Sequence, residues 1–178
     1  MESKNLSVRK TCFDDLKYFA EWETKSEVIA FFSIAEGKTY EETVREYVLW
    51  EQDPSKLQFT ICLKESDTPI GRVYISRFDR DTDSLDITRI YIADMEFRGK
   101  GYGEESMRLI LEYCFTDLEC ERVTLDHYTG NKIASALYLK LGFKYEGVAR
   151  SACRKNGEYF DLELMSMLRN EYKNNNIM

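Results

Sequence analysis

The sequence RGKGYG occupies positions 98–103, between an apolar strand pattern and an amphipathic helix pattern. Gly99, Gly101 and Gly103 allow successive backbone N–H groups to face one point, because glycine has no Cβ to obstruct them. The helix that follows adds its unpaired N-terminal amides and the positive end of its dipole. Arg98 and Lys100 add positive charge. The junction therefore predicts a pyrophosphate-binding loop, and the alternative is a strand-to-helix turn that simply requires glycine.

The spacing of this loop excludes three better-known phosphate-binding sequences. The chain has no GxxxxGK[ST] segment, and the GxGxxG pattern of dinucleotide-binding folds fails because its sixth position is Glu104. The HRD and DFG segments of protein kinases are also absent from the sequence. The pattern that remains is R-x-x-G-x-G. In this the chain resembles the GCN5-related N-acetyltransferases, whose pyrophosphate loop for coenzyme A has the same form at the same kind of junction.

A second segment strengthens the resemblance. Residues 131–143 read NKIASALYLKLGF, which is similar to the family signature N-x-x-(A/S)-x-x-x-Y-x-x-x-G-F. A buried helix face would explain Leu137 and Leu141 alone, but the two motifs also occur in the family's order and register. Residues 150–161, RSACRKNGEYFD, resemble the ending of the branch that holds spermidine and ribosomal-protein N-terminal acetyltransferases. On its own, Asn156-Gly157 predicts only a hairpin.

The resemblance implies an α+β fold with a central sheet of six or seven mostly antiparallel strands, a splayed centre and about four helices. Hydrophobic patterning predicts strands over 6–11, 57–63, 70–78, 85–93 and 122–127, followed by two strands within 144–168. It predicts helices over 14–24, 40–51 and 132–141, and one after the glycine loop. The apolar stretch 29–34 has no strong cap. We predict one domain over 1–178, with its core over 6–169 and a frayed tail over 170–178.

Composition narrows the class of protein further. The net charge is −7 and the chain has five cysteines and a single histidine. An acidic chain is a poor ligand for nucleic acid and favours a cationic acceptor such as a polyamine, an aminosugar or a basic peptide, although acidity also serves solubility. A single histidine argues against a metal site. The odd number of cysteines suits reduced thiols, and the sequence shows no apolar leader and no apolar run long enough to span a membrane, so we expect a cytoplasmic protein.

The resemblance implies roles for individual residues. Tyr138 matches the family tyrosine that faces the sulfur of coenzyme A, where a phenol can protonate the leaving thiolate. The alternative is an aromatic that fills the core. Asn131 is expected near the cofactor arm, or as a helix N-cap, or as both. The remaining predicted cofactor contacts are backbone groups of Tyr91, Ile92 and Ala93 at the end of the preceding strand, together with Arg98, Gly99, Lys100, Gly101, Tyr102 and Gly103.

The general base is where the sequence departs from the family. Many relatives have glutamate ten residues before the loop arginine, and here that position is Thr88. The resemblance makes Asp126 one candidate, because it lies five residues before Asn131, where ribosomal-protein N-acetyltransferases of this family have a glutamate. Asp86 is the other, because it lies on the same strand face as Thr88 and could act through a water molecule. The alternatives are a chain of water molecules or a substrate that arrives deprotonated. An acyl-thiol on Cys114, Cys120 or Cys153 is disfavoured, because His127 is the only imidazole available to activate it.

The sequence thus predicts transfer of an acetyl group from acetyl-CoA to a primary amine, with a polyamine or a protein N-terminus favoured. The competing hypothesis is a non-catalytic acyl-CoA-binding or sensor protein with the same fold. No metal, nucleic acid or membrane partner is expected, and a homodimer is one expected assembly.

Overall fold

A seven-stranded sheet organises the computed structural model, which describes residues 1–30 and 37–175. The strand order is β1-β2-β3-β4-β5-β7-β6, and every neighbouring pair is antiparallel except β4 and β5. The strands are β1 Leu6–Lys10, β2 Leu57–Leu63, β3 Pro69–Asp79, β4 Ser84–Ile92, β5 Arg122–Tyr128, β6 Lys144–Lys155 and β7 Glu158–Leu168. The helices are α1 Leu16–Trp22, α2 Ser26–Ile29, α3 Tyr40–Glu51, α4 Tyr102–Glu112, α5 Lys132–Leu141 and α6 Arg169–Asn175.

The sheet opens at its centre, as the sequence predicts. The parallel pairing of β4 with β5 ends at Asp86 and Thr124, although β4 continues to Ile92 and β5 to Tyr128. A register shift between β3 and β4 also leaves Thr88 as an extra residue, a bulge in β4. The C-terminal half of β4 therefore pairs with β3 alone, and backbone groups on its β5 side are left for another partner.

Apolar residues cover both faces of the sheet. On one face the apolar stripe of the amphipathic helix α4 is buried, and so are Tyr138 and Leu141 of α5. On the other face a second cluster joins Phe19 and Trp22 of α1 to Tyr91 of β4. The buried residues of this stripe are Met107, Ile110 and Leu111 of α4, together with Cys114 and Phe115 just beyond its end.

The structure adds two short helices to the four that the sequence predicts. Six helices are described where about four were expected, because α2 and α6 carry weak sequence signals. The tail predicted to fray from residue 170 is helical to Asn175, and Tyr172 stacks on Phe115 with 4.8 Å between ring centroids. Residues 31–34 of the uncapped apolar stretch lie outside the described residues, and so do 176–178. None of the described helices is long and apolar enough to cross a membrane.

Candidate active site

The glycine loop joins β4 to α4 and leaves open space above its backbone. Gly99 and Gly101 adopt φ values of +73° and +86°, in the left-handed region that glycine tolerates best, and Gly101 is the N-cap of α4. A Cβ built on Gly99, Gly101 or Gly103 would meet no atom within 4 Å. Backbone amides, a helix N-terminus and an open surface coincide here, so the residues present fit the pyrophosphate of an acyl-CoA.

The two cations of the loop have different surroundings. Arg98 Nε donates to the Ile92 carbonyl at 2.9 Å, and Nη2 donates to the Ala93 carbonyl at 3.0 Å. Lys100 is exposed, and its ammonium lies 5.7 Å from the centre of the Phe97 ring. Arg98 thus contacts the end of β4 directly, a placement that the sequence pattern did not indicate.

Asp86 lies where β4 and β5 separate, and each of its carboxylate oxygens accepts a hydrogen bond from a threonine hydroxyl. Thr88 donates to Oδ1 at 2.8 Å, and Thr124 donates to Oδ2 at 2.9 Å. The Thr88 hydroxyl also lies 2.6 Å from that of Ser76 on β3. Asp86 is 8% exposed. This carboxylate is consequently a held, buried negative charge rather than a freely accessible base.

Asp126, two residues beyond the last β4–β5 pair, has the properties expected of a base. Solvent reaches it. Desolvation by the surrounding protein, followed by the negative charge of Asp86, nevertheless raises the pKa of Asp126 above its usual value, although the positive charge of Arg77 opposes the shift. A raised pKa makes a carboxylate a stronger proton acceptor.

Tyr138 is buried, with 8% of its surface exposed, and its ring packs in the core, as the structural alternative predicts. Its ring centre lies 5.8 Å from that of His127 and 5.9 Å from that of Phe143. Within residues 1–30 and 37–175, no hydrogen-bond partner of its hydroxyl is recorded. Burial and the charge of Asp126 raise the pKa of Tyr138 to about 12. The phenol therefore stays protonated at neutral pH, as a general acid must, and its catalytic role remains a prediction.

Asn131 caps α5. Its side-chain oxygen accepts from the Ala134 N–H at 3.2 Å, which confirms the structural alternative, and a role at the cofactor stays a prediction. Cys114 and Cys120 are buried, and burial raises the pKa of each thiol. A buried thiol with a raised pKa is a poor nucleophile, so neither cysteine is suited to form an acyl-thiol intermediate.

A buried ionic cluster lies on the α1 side of β4. The sequence did not predict it. Glu23 Oε1 accepts from Arg72 at 2.7 Å, from Arg89 at 2.9 Å and from the Tyr91 hydroxyl at 3.1 Å. Burial works to raise the pKa of Glu23, but the charges of Arg89 and Arg72 outweigh it and lower that pKa. The members are far apart in sequence, so no local pattern could have revealed them.

The comparisons with known proteins agree with this geometry. The model of the acetyltransferase (GNAT) domain family matches residues 5–144. The SPbeta prophage-derived uncharacterized N-acetyltransferase YokL of Bacillus subtilis is 31% identical over 134 residues, which cover 74% of this chain and 73% of the relative. The spermidine N(1)-acetyltransferase of Escherichia coli is 24% identical over 160 residues, which cover 89% of this chain and 83% of the relative. The chain therefore belongs to the GNAT family of acetyltransferases.

A solved structure supports the fold independently. The spermidine N-acetyltransferase of Vibrio cholerae, in complex with CoA and spermine, matches with a TM-score of 0.88. The match covers 96% of this chain and 99% of the other at 23% sequence identity. At this identity the similarity establishes the shared fold, and the α+β prediction with a splayed sheet is confirmed.

Proposed function

We propose that this chain transfers the acetyl group of acetyl-CoA to a primary amine, with a polyamine or a protein N-terminus as the favoured acceptor. One observation carries the proposal: the β4–β5 pairing ends at Asp86 and Thr124, β4 continues toward the glycine loop, and β5 continues through Asp126, whose charge acts on Tyr138. Loop amides can hold the pyrophosphate, and unpaired backbone of β4 can hold the acyl arm.

Two carboxylates on neighbouring strands support an amine acceptor. Asp126 lies two residues beyond Thr124, the register partner of Asp86, and the charge of Asp86 contributes to the raised pKa of Asp126. Such a pair attracts a cationic amine from solvent. The E. coli and V. cholerae proteins are named as spermidine acetyltransferases, which agrees with an amine of this kind.

The proposed proton transfers use Asp126 and Tyr138, whose pKa values are both raised. Acetyl-CoA supplies the activated thioester. Asp126 takes the proton that the amine nitrogen loses as it bonds to the acyl carbon, and the phenol of Tyr138 donates a proton to the sulfur as the C–S bond breaks. Thr88 and Thr124 hold the carboxylate of Asp86, and its charge raises the pKa of Asp126, which makes Asp126 a stronger base.

Turnover of acetyl-CoA against a panel of amines tests the proposal. The panel should contain spermidine, an aminosugar and peptides with free N-termini, and release of free thiol should be followed for each. We expect release that depends on the amine and that falls in a Tyr138→Phe variant. Binding of acetyl-CoA by calorimetry without thiol release for any amine would instead support the sensor hypothesis. Absence of binding would exclude both functions.

A further inference from the structure

The side chain of Arg98 folds back onto the strand that precedes its own loop. Nε and Nη2 form the side-on fork of the guanidinium, and this fork faces two consecutive carbonyl groups, of Ile92 at 2.9 Å and of Ala93 at 3.0 Å. Nη1 donates to the carbonyl of Glu27 in α2 at 3.2 Å. Each of the three guanidinium nitrogens thus already has an acceptor within the protein.

A phosphate contact requires free donors, and a guanidinium has five N–H groups. In Arg98 the three carbonyls and the sulfur of Met95, 3.4 Å from Nη1, take four of them. Arginine binds phosphate best through two parallel N–H groups of one edge, and in Arg98 that edge is occupied by the end of β4. Moving the side chain to a phosphate would leave the Ile92 and Ala93 carbonyls without this donor. Lys100 has no hydrogen bond recorded within the described ranges and is exposed, so it is the better candidate for contact with a phosphate.

The Arg98 contacts also hold α2, which is too short to be stable alone. Lys25, which precedes α2, pairs with Asp94 at 2.7 Å, just after β4. At the other end, Lys155 of β6 donates to the Ile29 carbonyl. Arg98 connects α2 with the same β4 end from which the glycine loop departs. Its position therefore affects the whole junction at which the acyl donor is expected.

We infer that Arg98 is a positioning residue rather than a phosphate ligand. It holds the last carbonyls of β4 and the backbone of α2, and it thereby sets the direction in which the β4 end and the loop amides face the acyl donor. This inference rests on the proposed function for its kinetic consequence. It contradicts the phosphate contact that the sequence predicts for Arg98.

A truncated acyl donor separates the two roles. S-acetylpantetheine has the thioester arm of acetyl-CoA but no pyrophosphate, so a residue that acts only on phosphate cannot affect its use. Arg98→Lys keeps the charge but cannot bridge three carbonyls. Because the variant loses charge-assisted hydrogen bonds to these carbonyls, we expect kcat/KM to fall about tenfold or more, and equally for acetyl-CoA and for S-acetylpantetheine. The matched variant Lys100→Met should reduce kcat/KM for acetyl-CoA more than for S-acetylpantetheine.

Amide hydrogen exchange of the free protein gives a readout that needs no activity. In Arg98→Lys we expect faster exchange for the amides of Val28, Ile29, Ala93 and Phe97, with wild-type rates in β2, which reports global stability. A kinetic loss confined to acetyl-CoA, or an unchanged exchange pattern, overturns the inference. Faster exchange in β2 as well would reduce Arg98 to a general structural role and also overturn it. If the wild type turns over neither donor, the proposed function fails, while the exchange data still decide what Arg98 holds.

Discussion

Removing only the hydroxyl of Tyr138 separates catalysis from packing. The ring of Tyr138 is buried against His127 and Phe143, and Tyr138→Phe keeps those contacts. Its hydroxyl has no recorded partner in the described part of the chain, so the substitution breaks no hydrogen bond there. We therefore expect a change in unfolding free energy within about 0.5 kcal/mol, which corresponds to a melting-temperature shift of about 1–2 °C in a chain of this size.

The expected effect on rate is far larger. With a pKa of about 12, Tyr138 is ionised in only about one molecule in ten thousand at pH 8, so the acid form is present throughout the working range. Loss of a general acid typically reduces the rate about 10²–10⁴-fold, and we expect kcat to fall toward that range while the affinity for acetyl-CoA is retained. Tyr145→Phe, the same chemical change at a side chain that is 57% exposed, serves as the control and should change nothing.

The measurements are steady-state kinetics with the best amine of the panel, calorimetric titration with acetyl-CoA and thermal unfolding. A normal kcat combined with a lower melting temperature would show that Tyr138 belongs only to the core. A large loss of affinity would make it a substrate contact. If kcat, affinity and stability all stay at wild-type values, the sulfur takes its proton from water and the assignment is refuted.

Four further substitutions test the loop, the base and the ionic cluster. Gly103→Val should weaken acetyl-CoA binding in calorimetry with little loss of stability, and normal affinity in this variant would contradict the loop assignment. Gly101→Ala should also lower the melting temperature, because a φ of +86° costs a non-glycine residue about 1–2 kcal/mol. Asp126→Asn should abolish the acidic limb of the pH profile of kcat/KM, and an unchanged profile would exclude this base. At pH values above the folded pKa of Asp126, the substitution should also raise the melting temperature, because folding raises that pKa and so disfavours the charged carboxylate. This gain should vanish at lower pH, where the carboxyl group is protonated in both states. Glu23→Gln should destabilise the protein by about 3–5 kcal/mol in denaturant unfolding, since Arg72 and Arg89 both lose the negative charge of Glu23. The loss should shrink as the pH falls through the lowered folded pKa of Glu23, and a loss below about 1 kcal/mol at neutral pH would rule out the cluster as a stabilising element.

Much of the fold follows from local patterns. The bounds of α3 and α5 agree with their predictions, because a capping box at Thr39 and an N-cap at Asn131 mark where each helix begins. Asn156-Gly157 places the β6–β7 hairpin for a similar reason. α2 and α6 were not foreseen, because tertiary contacts rather than propensity stabilise such short helices.

For the candidate site, the sequence by itself indicated the glycine loop through residue type and spacing, and Tyr138 and Asp126 through the resemblance to the family. Their catalytic roles remain predictions. Only the tertiary structure decided what each group contacts. The hydroxyls on Asp86, the carbonyls on Arg98 and the guanidinium groups on Glu23 include partners up to 71 positions away in the chain. Hydrogen bonds and charge effects act through space, so the fold alone could make Asp86 a held charge and Arg98 a support of the β4 end.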